Sequence, residues 1–370
     1  MLSVKRRTTM SRINNKEPLI RVVKKAEISG FSLAILSVVS IVVAFVAGGI
    51  FFSMLGINPL SAYAKIFAGA FKGKIAIIAT VKIAVPLLIT SLGITLAFKM
   101  QFWNIGAEGQ IIMGAICASY FALFHSDMPH IPLIITMFAA GIIGGGLWGL
   151  IPAFFKCKFN TNETLFTLML NYIALYLIIY FKEGPWRDPS SGGFPKIATF
   201  VENARLDKLL GVHIGWVIAL VLVAAVYIYL KYTKQGYEIS VVGESKNTAR
   251  YAGMNVDKIV MRTMFLSGAI CGIAGMTQAT GAAYTLSDGI AGGVGFTAII
   301  VAWLSRLNAV MCIFVTLLLS VLDKGGSVMQ SAFSVPTYVS EVLKGIILFV
   351  ILGFDFFIQY KVVIRKEKKS

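Results

Sequence analysis

The sequence predicts an all-α polytopic membrane protein with about ten transmembrane helices, and three observations support this fold class. Of 370 residues, 57% are hydrophobic and only 14% are charged, whereas a soluble domain of this size carries far more charge. The apolar residues form runs of about 20, the length that crosses a bilayer. The Lys and Arg residues, which give a net charge of +17, fall in short clusters between these runs. That distribution is typical of membrane-protein loops and argues against a nucleic-acid partner.

Ten apolar segments make up a transmembrane domain at residues 31–357. A basic segment (1–30) precedes it and a basic tail (358–370) follows it. The first run lacks a small-residue cleavage site, so we expect it to be retained as a span. Two of the ten runs are short, and in chain order the runs are 31–55, 75–98, 102–124, 132–155, 164–181, 213–230, 259–281, 294–304, 309–322 and 335–357.

The positive charges predict the orientation of the chain. With the N-terminus in the cytoplasm, and with Arg262 at the start of its run counted there, 23 of the 34 Lys and Arg residues fall in cytoplasmic segments and 9 in extracytoplasmic ones. Because positive loops stay in the cytoplasm, both termini are expected there. The segment 231–258 is then a cytoplasmic loop. The segment 182–212 is an extracytoplasmic loop, either a solvated connection or a docking surface for an extracytoplasmic partner.

A glycine-containing polar stretch opens the third apolar segment, at residues 102–110. An ionisable side chain in a span is costly and usually faces a cavity or a partner, which singles out Glu108. A helix restarting here would point free N–H groups and its positive dipole end into the protein. Asn104, Glu108 and Gln110 would then hydrogen-bond a polar solute, while Phe102 and Trp103 would stack on its ring. The alternative, a tight turn at the membrane surface, stays open.

Residues 292–302 echo this stretch, since both place a Gly-rich turn at the head of an apolar helix. Corresponding interruptions in two halves of a chain point to the substrate site of a transporter. Asn171 lies within a span, where its amide is expected to hydrogen-bond a neighbouring helix, and we count it among the candidate pathway residues. Asn162 and Glu163 are placed to cap the helix that contains it. Glycines four residues apart predict close helix packing at Gly141, Gly145, Gly149, Gly268 and Gly272.

The sequence argues against an enzyme. It has no catalytic nucleophile motif and no paired carboxylates within one apolar run, and its four Cys and three His lack metal-site spacing. The three His are expected to be residues of the membrane interface. The stretch 68–75 lacks the first Gly and the final Ser or Thr of a phosphate loop. We therefore expect no cofactor or metal on this chain, and any ATP to be used by a partner subunit.

The cytoplasmic loop contains a predicted short helix. Ser245 is placed to cap a helix that runs through Tyr251, and a Gly two residues later is placed to end it. On this helix Ala249 and Ala252 would form an exposed face of small residues with Arg250 beside it, suited to a groove on a soluble partner. A plain connection between two spans is the alternative.

Five stretches between about residues 86 and 304 resemble permeases of ATP-binding-cassette (ABC) importers of the branched-chain amino acid/ribose type. Within that family they are most similar to the nucleoside and simple-sugar uptake group. The stretches lie at 104–110, 162–173, 182–188, 242–253 and 295–302. The sequence departs from the family at Trp303, where relatives have a smaller residue, and at Ser305, near which they have Gly.

The resemblance implies a permease subunit without enzymatic activity, in the plasma membrane of a bacterium. It would pair with a second permease, bind a double-cassette ATPase inside, and receive nucleosides or related sugars from an extracytoplasmic binding lipoprotein. It also implies that the ATPase docks on the cytoplasmic loop, which makes the candidate coupling residues Gly243, Glu244, Ala249, Arg250 and Gly253.

A secondary transporter driven by an ion gradient is the alternative function. It would need ionisable groups within spans as coupling sites, and the candidates are Glu108, Lys82 and Lys344.

Overall fold

A computed structural model describes residues 20–24 and 30–364, and these are almost entirely helical. The helices are α1 (Gly30–Met54), α2 (Pro59–Phe71), α3 (Lys74–Lys99), α4 (Ala107–Phe124), α5 (His130–Phe159), α6 (Glu163–Glu183), α7 (Gly215–Tyr232), α8 (Lys234–Glu244), α9 (Lys246–Tyr251), α10 (Val256–Thr277), α11 (Val294–Leu304), α12 (Ala309–Phe333) and α13 (Thr337–Gln359). The other elements are a 3₁₀ turn (Glu202–Ala204) and a π turn (Gln278–Ala283). There are also four short strands: β1 (Ile20–Lys24), β2 (Lys208–Leu209), β3 (Val212–His213) and β4 (Tyr360–Ile364).

The prediction of an all-α polytopic membrane protein is confirmed. Within the described residues, seven helices are long and apolar enough to cross a membrane: α3, α4, α5, α6, α7, α10 with its π turn, and α12. The end of α1 and α2 form a further apolar pair, bent by 114°. Each of the ten predicted runs coincides with a helix, but α2 was not predicted and α12 continues well past the predicted end at residue 322.

Helix α10 is the centre of the larger compact unit, residues 50–345. Most of its side chains are buried, and α5, α4 and α3 pack around it. Glycines let its backbone approach that of α5: a Cβ on Gly272 would lie 2.1 Å from the carbonyl oxygen of Gly141, and one on Gly145 would lie 2.3 Å from that of Gly268. The predicted close packing of these glycines is confirmed.

The smaller unit comprises residues 1–49 and 346–370. In it β1 pairs antiparallel with β4, with Ile20 opposite Ile364 and Lys24 opposite Tyr360. The segments that flank the first and last helices therefore lie side by side. Residues 1–19, 25–29 and 365–370, which hold most of the predicted basic termini, lie outside the described residues.

The extracytoplasmic loop predicted at 182–212 is pinned to the segment that follows α10. The amide of Phe200 donates to the carbonyl of Tyr284 (2.8 Å), and the amide of Leu206 donates to that of Thr280 (3.1 Å). The guanidinium of Arg205 lies 5.0 Å from the centre of the Tyr284 ring. These contacts fix the loop against the segment that follows α10.

His213 is buried, although the sequence placed it at the membrane interface. Its side chain packs against Gly215 and Gly281, where a Cβ would approach the imidazole within 2.5 Å. Neither ring nitrogen has a hydrogen-bond partner within the described part of the chain. Burial, together with the positive charge of Lys82, lowers the pKa of His213 to about 4. The folded protein therefore holds this imidazole neutral.

We expect this imidazole to make the protein less stable as the pH falls from about 6.5 toward 4. The unfolded chain binds a proton at its ordinary pKa of about 6.5, while the folded chain does not, so unfolding gains up to about 3 kcal/mol across that window. His213→Phe, which keeps a ring but cannot titrate, should remove this component from thermal unfolding in detergent. His125→Gln, at an exposed position, should retain it. An unchanged pH profile for His213→Phe would contradict the assignment.

Candidate functional site

The chain breaks between α3 and α4, and buried side-chain amides hold the break. The Asn104 Oδ1 atom accepts from the amide of Gly106 (3.0 Å) and from the side chain of Gln110 (3.3 Å). The Asn104 Nδ2 atom donates to Gln110 (3.2 Å) and to the hydroxyl of Ser267 on α10 (3.3 Å). Asn104 and Gln110 are both buried. They hold the backbone of the break in place, and their contact with a solute stays a prediction.

Asn171 on α6 holds the same break from the other side. Its Oδ1 atom accepts from the amide of Gly109 (2.8 Å), and its Nδ2 atom donates to the carbonyl of Ile105 (2.9 Å). The predicted interhelical hydrogen bond is confirmed. Both ends of this buried amide are engaged within the protein, so Asn171 positions the break, and its place along the solute pathway stays a prediction.

Glu108 joins the starts of two helices. Its Oε1 atom accepts from the amide of Gly293 and its Oε2 atom from that of Gly295, both at 2.7 Å. The carboxylate thus lies in the first turn of α4 and at the N-terminus of α11, where both helix dipoles favour a negative charge. Gly295 is required for this approach, since a Cβ there would lie 2.4 Å from the Glu108 amide nitrogen.

The two stretches that echo each other in the sequence therefore meet in space. Each begins a helix inside the protein, and one carboxylate connects them. Broken helices of this kind are where transporters place polar contacts to a solute. Glu108 therefore links the two interrupted helices, and its contact with a solute stays a prediction.

An aromatic cluster joins the end of α3, the start of the break and the far end of α11. Trp103 and Trp303 stack with ring centres 5.6 Å apart and planes at 21°, and Phe98 contacts both. The indoles are 42% and 40% exposed, whereas Phe102 is buried. Of the two predicted stacking residues, only Trp103 offers a ring face to a solute. Sequence reasoning treated Trp303 as a departure from the family and missed that it pairs with Trp103.

Beside Trp103 lies a polar cavity of about 390 Å³. The short turn between α5 and α6 forms its other walls, with an ion pair of 2.7 Å between Lys156 and Glu163. The Asn162 side chain accepts from the amides of Thr164 (3.0 Å) and Leu165 (3.2 Å), so the predicted cap of α6 is confirmed. Trp103 and the polar residues of the turn between α5 and α6 thus line one cavity. An aromatic ring beside polar side chains suits a solute with one flat face and several hydroxyls.

The cytoplasmic loop forms the predicted short helix α9, preceded by a helix that was not predicted, α8, which contains Gly243. The Ser245 hydroxyl accepts from the amide of Thr248 (3.2 Å), which caps α9, and Gly253 ends the turn with a φ of +75°. The predicted exposed face of small residues is wrong in one respect: Ala249 is fully buried. A Cβ on Gly243 would lie 2.1 Å from the carbonyl oxygen of Lys99, so Gly243 also packs inward.

Three of the five predicted coupling residues face outward, namely Glu244, Arg250 and Gly253, whereas Gly243 and Ala249 are buried. Glu244 and Arg250 are exposed, and Tyr251 is 93% exposed. Within the described residues, no group of three His, Cys, Asp or Glu side chains is arranged to hold a metal ion.

Known proteins match nearly the whole chain. The family described as branched-chain amino acid transport system / permease component matches residues 75–352. A glucose ABC transporter permease protein of Haloferax volcanii is 30% identical over 346 residues, which cover 90% of each chain. A guanosine ABC transporter permease protein of Bacillus subtilis, NupP, is 30% identical over 324 residues and covers 84% of this chain and 90% of its own length.

A second guanosine ABC transporter permease protein of Bacillus subtilis, NupQ, is 28% identical over 234 residues, which cover 60% of this chain and 72% of that protein. Among solved structures, PsaBC from Streptococcus pneumoniae in complex with Fab covers 80% of this chain and 94% of its own, at 15% identity and a TM-score of 0.45.

Proposed function

Because this chain belongs to the permease family of branched-chain amino acid transport systems, we propose that it forms the import pathway for nucleosides or closely related sugars. It is a multi-pass membrane permease subunit of an ABC transporter. The observation that carries the proposed pathway is the junction at Glu108, where α4 and α11 both begin inside the protein. A rigid junction of two helix starts gives a fixed place past which a solute can be guided.

The aromatic pair favours nucleosides over simple sugars. A nucleobase has two flat π faces and can stack on the exposed indole of Trp103, which lines the polar cavity and pairs with Trp303. The ribose hydroxyls then reach the polar turn between α5 and α6. The relatives named above are described as permeases for guanosine, a nucleoside, and for glucose, a simple sugar.

Energy comes from another chain in this proposal. The sequence has no complete phosphate loop, so a double-cassette ATPase uses the ATP and docks on the exposed side of α8 and α9. A second permease completes the pathway, in keeping with the two guanosine permease proteins of Bacillus subtilis that match this chain. A binding lipoprotein delivers solute to the ordered outer loop, and the assembly lies in the plasma membrane of a bacterium.

Uptake into proteoliposomes that contain the complete importer tests this proposal. Labelled guanosine, added with the binding lipoprotein, should accumulate only when ATP is enclosed, and unlabelled uridine should compete better than glucose. An ionophore should leave the rate unchanged. Uptake that survives without ATP but collapses with the ionophore would establish the ion-driven alternative. Stronger competition by glucose than by uridine would show that the solute is a sugar and not a nucleoside.

A further inference from the structure

The second half of α12 carries a polar stripe that a lipid-facing helix would not have. Asp323, Ser327 and Gln330 recur at the spacing of one helix face and are all exposed. Asp323 lies about 21 Å from the start of α12 and about 15 Å from its end, at 1.5 Å per residue. At that distance the stripe begins within the apolar part of α12, and it continues toward the C-terminal end of the same helix.

A charged partner on α13 completes the stripe. The Lys344 ammonium forms an ion pair with the Asp323 carboxylate, and Glu341, one turn earlier on α13, is exposed. The side chains of Lys344 and Asp323 are 27% and 45% exposed. Charges within a span pair with one another or face water; these two are paired and partly exposed.

The rest of α12 shows what its lipid-facing surface looks like. Phe314 lies nine residues before Asp323, on the opposite face of the helix at 3.6 residues per turn, and is 62% exposed. Leu317 is 43% exposed. Apolar side chains thus cover the surface available to lipid, and polar ones are gathered on the other face. This contrast is expected for a helix with one face toward lipid and the opposite face toward an aqueous path.

We propose that this stripe lines the extracytoplasmic half of the solute pathway and hydrogen-bonds the hydroxyls of a neutral solute there. The inference rests on the proposed function and on the orientation given by the positive charges. The carboxylate of Asp323 accepts from hydroxyls, the ammonium of Lys344 donates to them, and the amide of Gln330 does both. Because the ion pair has no net charge, the stripe suits a neutral sugar or nucleoside better than a carboxylate or phosphate.

Thiol accessibility tests the position of the stripe independently of the solute. In a variant whose four native Cys are replaced by Ser, Ser327→Cys and Gln330→Cys should react with a membrane-impermeant methanethiosulfonate, added outside, at least tenfold faster than the matched control Phe314→Cys. The complete importer is used. If both thiols react as slowly as the control, lipid covers the stripe. If they react in the isolated permease but not in the complex, the second permease covers it. Either result overturns the proposal.

Uptake kinetics test the solute contact. Asp323→Asn should raise KM at least fivefold while the yield of assembled importer stays unchanged. The double variant Asp323→Lys with Lys344→Asp restores the ion pair in reverse; it should assemble normally but should not restore the wild-type KM. Complete recovery of KM would show that the pair only joins α12 to α13. Should guanosine not be the solute, the thiol reactivities remain as predicted, and KM is measured with the solute that is transported.

Discussion

Glu108→Ala is expected to lower solute uptake at least tenfold and to reduce the thermal stability of the permease. The substitution removes two hydrogen bonds of 2.7 Å to the amides of Gly293 and Gly295. Hydrogen bonds to a charged group contribute about 1.5–3 kcal/mol each. Their loss leaves the start of α11 without its carboxylate, so the junction between α4 and α11 loosens. The permease should still insert, because the apolar length of its spans is unchanged.

A graded series separates this positioning role from a general effect of mutation. Glu108→Gln keeps the shape and one acceptor oxygen, so its uptake should lie between those of the wild type and Glu108→Ala. Asp127→Asn removes an exposed carboxylate in the turn between α4 and α5 and should change neither uptake nor melting. Uptake and thermal unfolding are measured on the same preparations. Wild-type values for Glu108→Ala would mean that the junction does not depend on the carboxylate.

The spans could be predicted because crossing a bilayer is a local requirement on about 20 residues. The prediction failed where a helix depends on a distant partner. Helix α2 has only 13 residues and bends away by 114°, so no run of spanning length marks it. The predicted end of α12 at residue 322 was wrong because Asp323 resembles the end of a span. Its partner, Lys344, is 21 residues further along the chain, and a hydropathy window does not reveal that pairing.

The candidate site shows the same division. Local chemistry identified Glu108 and the helix break, since a charge and glycines in an apolar run are unusual. What Glu108 binds was beyond the sequence, because Gly293 lies 185 residues away. Ala249 illustrates a different limit: a small residue suits both an exposed docking face and a tight internal contact. Only the packing of α9 shows that its side chain is fully buried.

The burial of Ala249 divides the predicted coupling residues into two groups with different defects. Ala249→Asp should lower the amount of folded permease in the membrane, because a carboxylate without a partner in a closed site costs several kcal/mol. Arg250→Glu should leave that amount unchanged, since Arg250 is exposed. It should nevertheless reduce ATP-driven uptake at least tenfold, because the reversed charge faces the proposed ATPase.

Two measurements on each variant distinguish these defects: the yield of monodisperse permease and the affinity for the ATPase in a pull-down. Tyr251→Ala removes the most exposed side chain of α9 and should behave like Arg250→Glu, with normal yield and at least tenfold weaker binding, about 1.4 kcal/mol. Lys208→Glu, on the extracytoplasmic loop, is the matched charge reversal and should bind the ATPase normally. If Arg250→Glu and Tyr251→Ala both bind with wild-type affinity, the ATPase docks elsewhere. The exposed side of α9 would then lose its proposed role, even with transport intact.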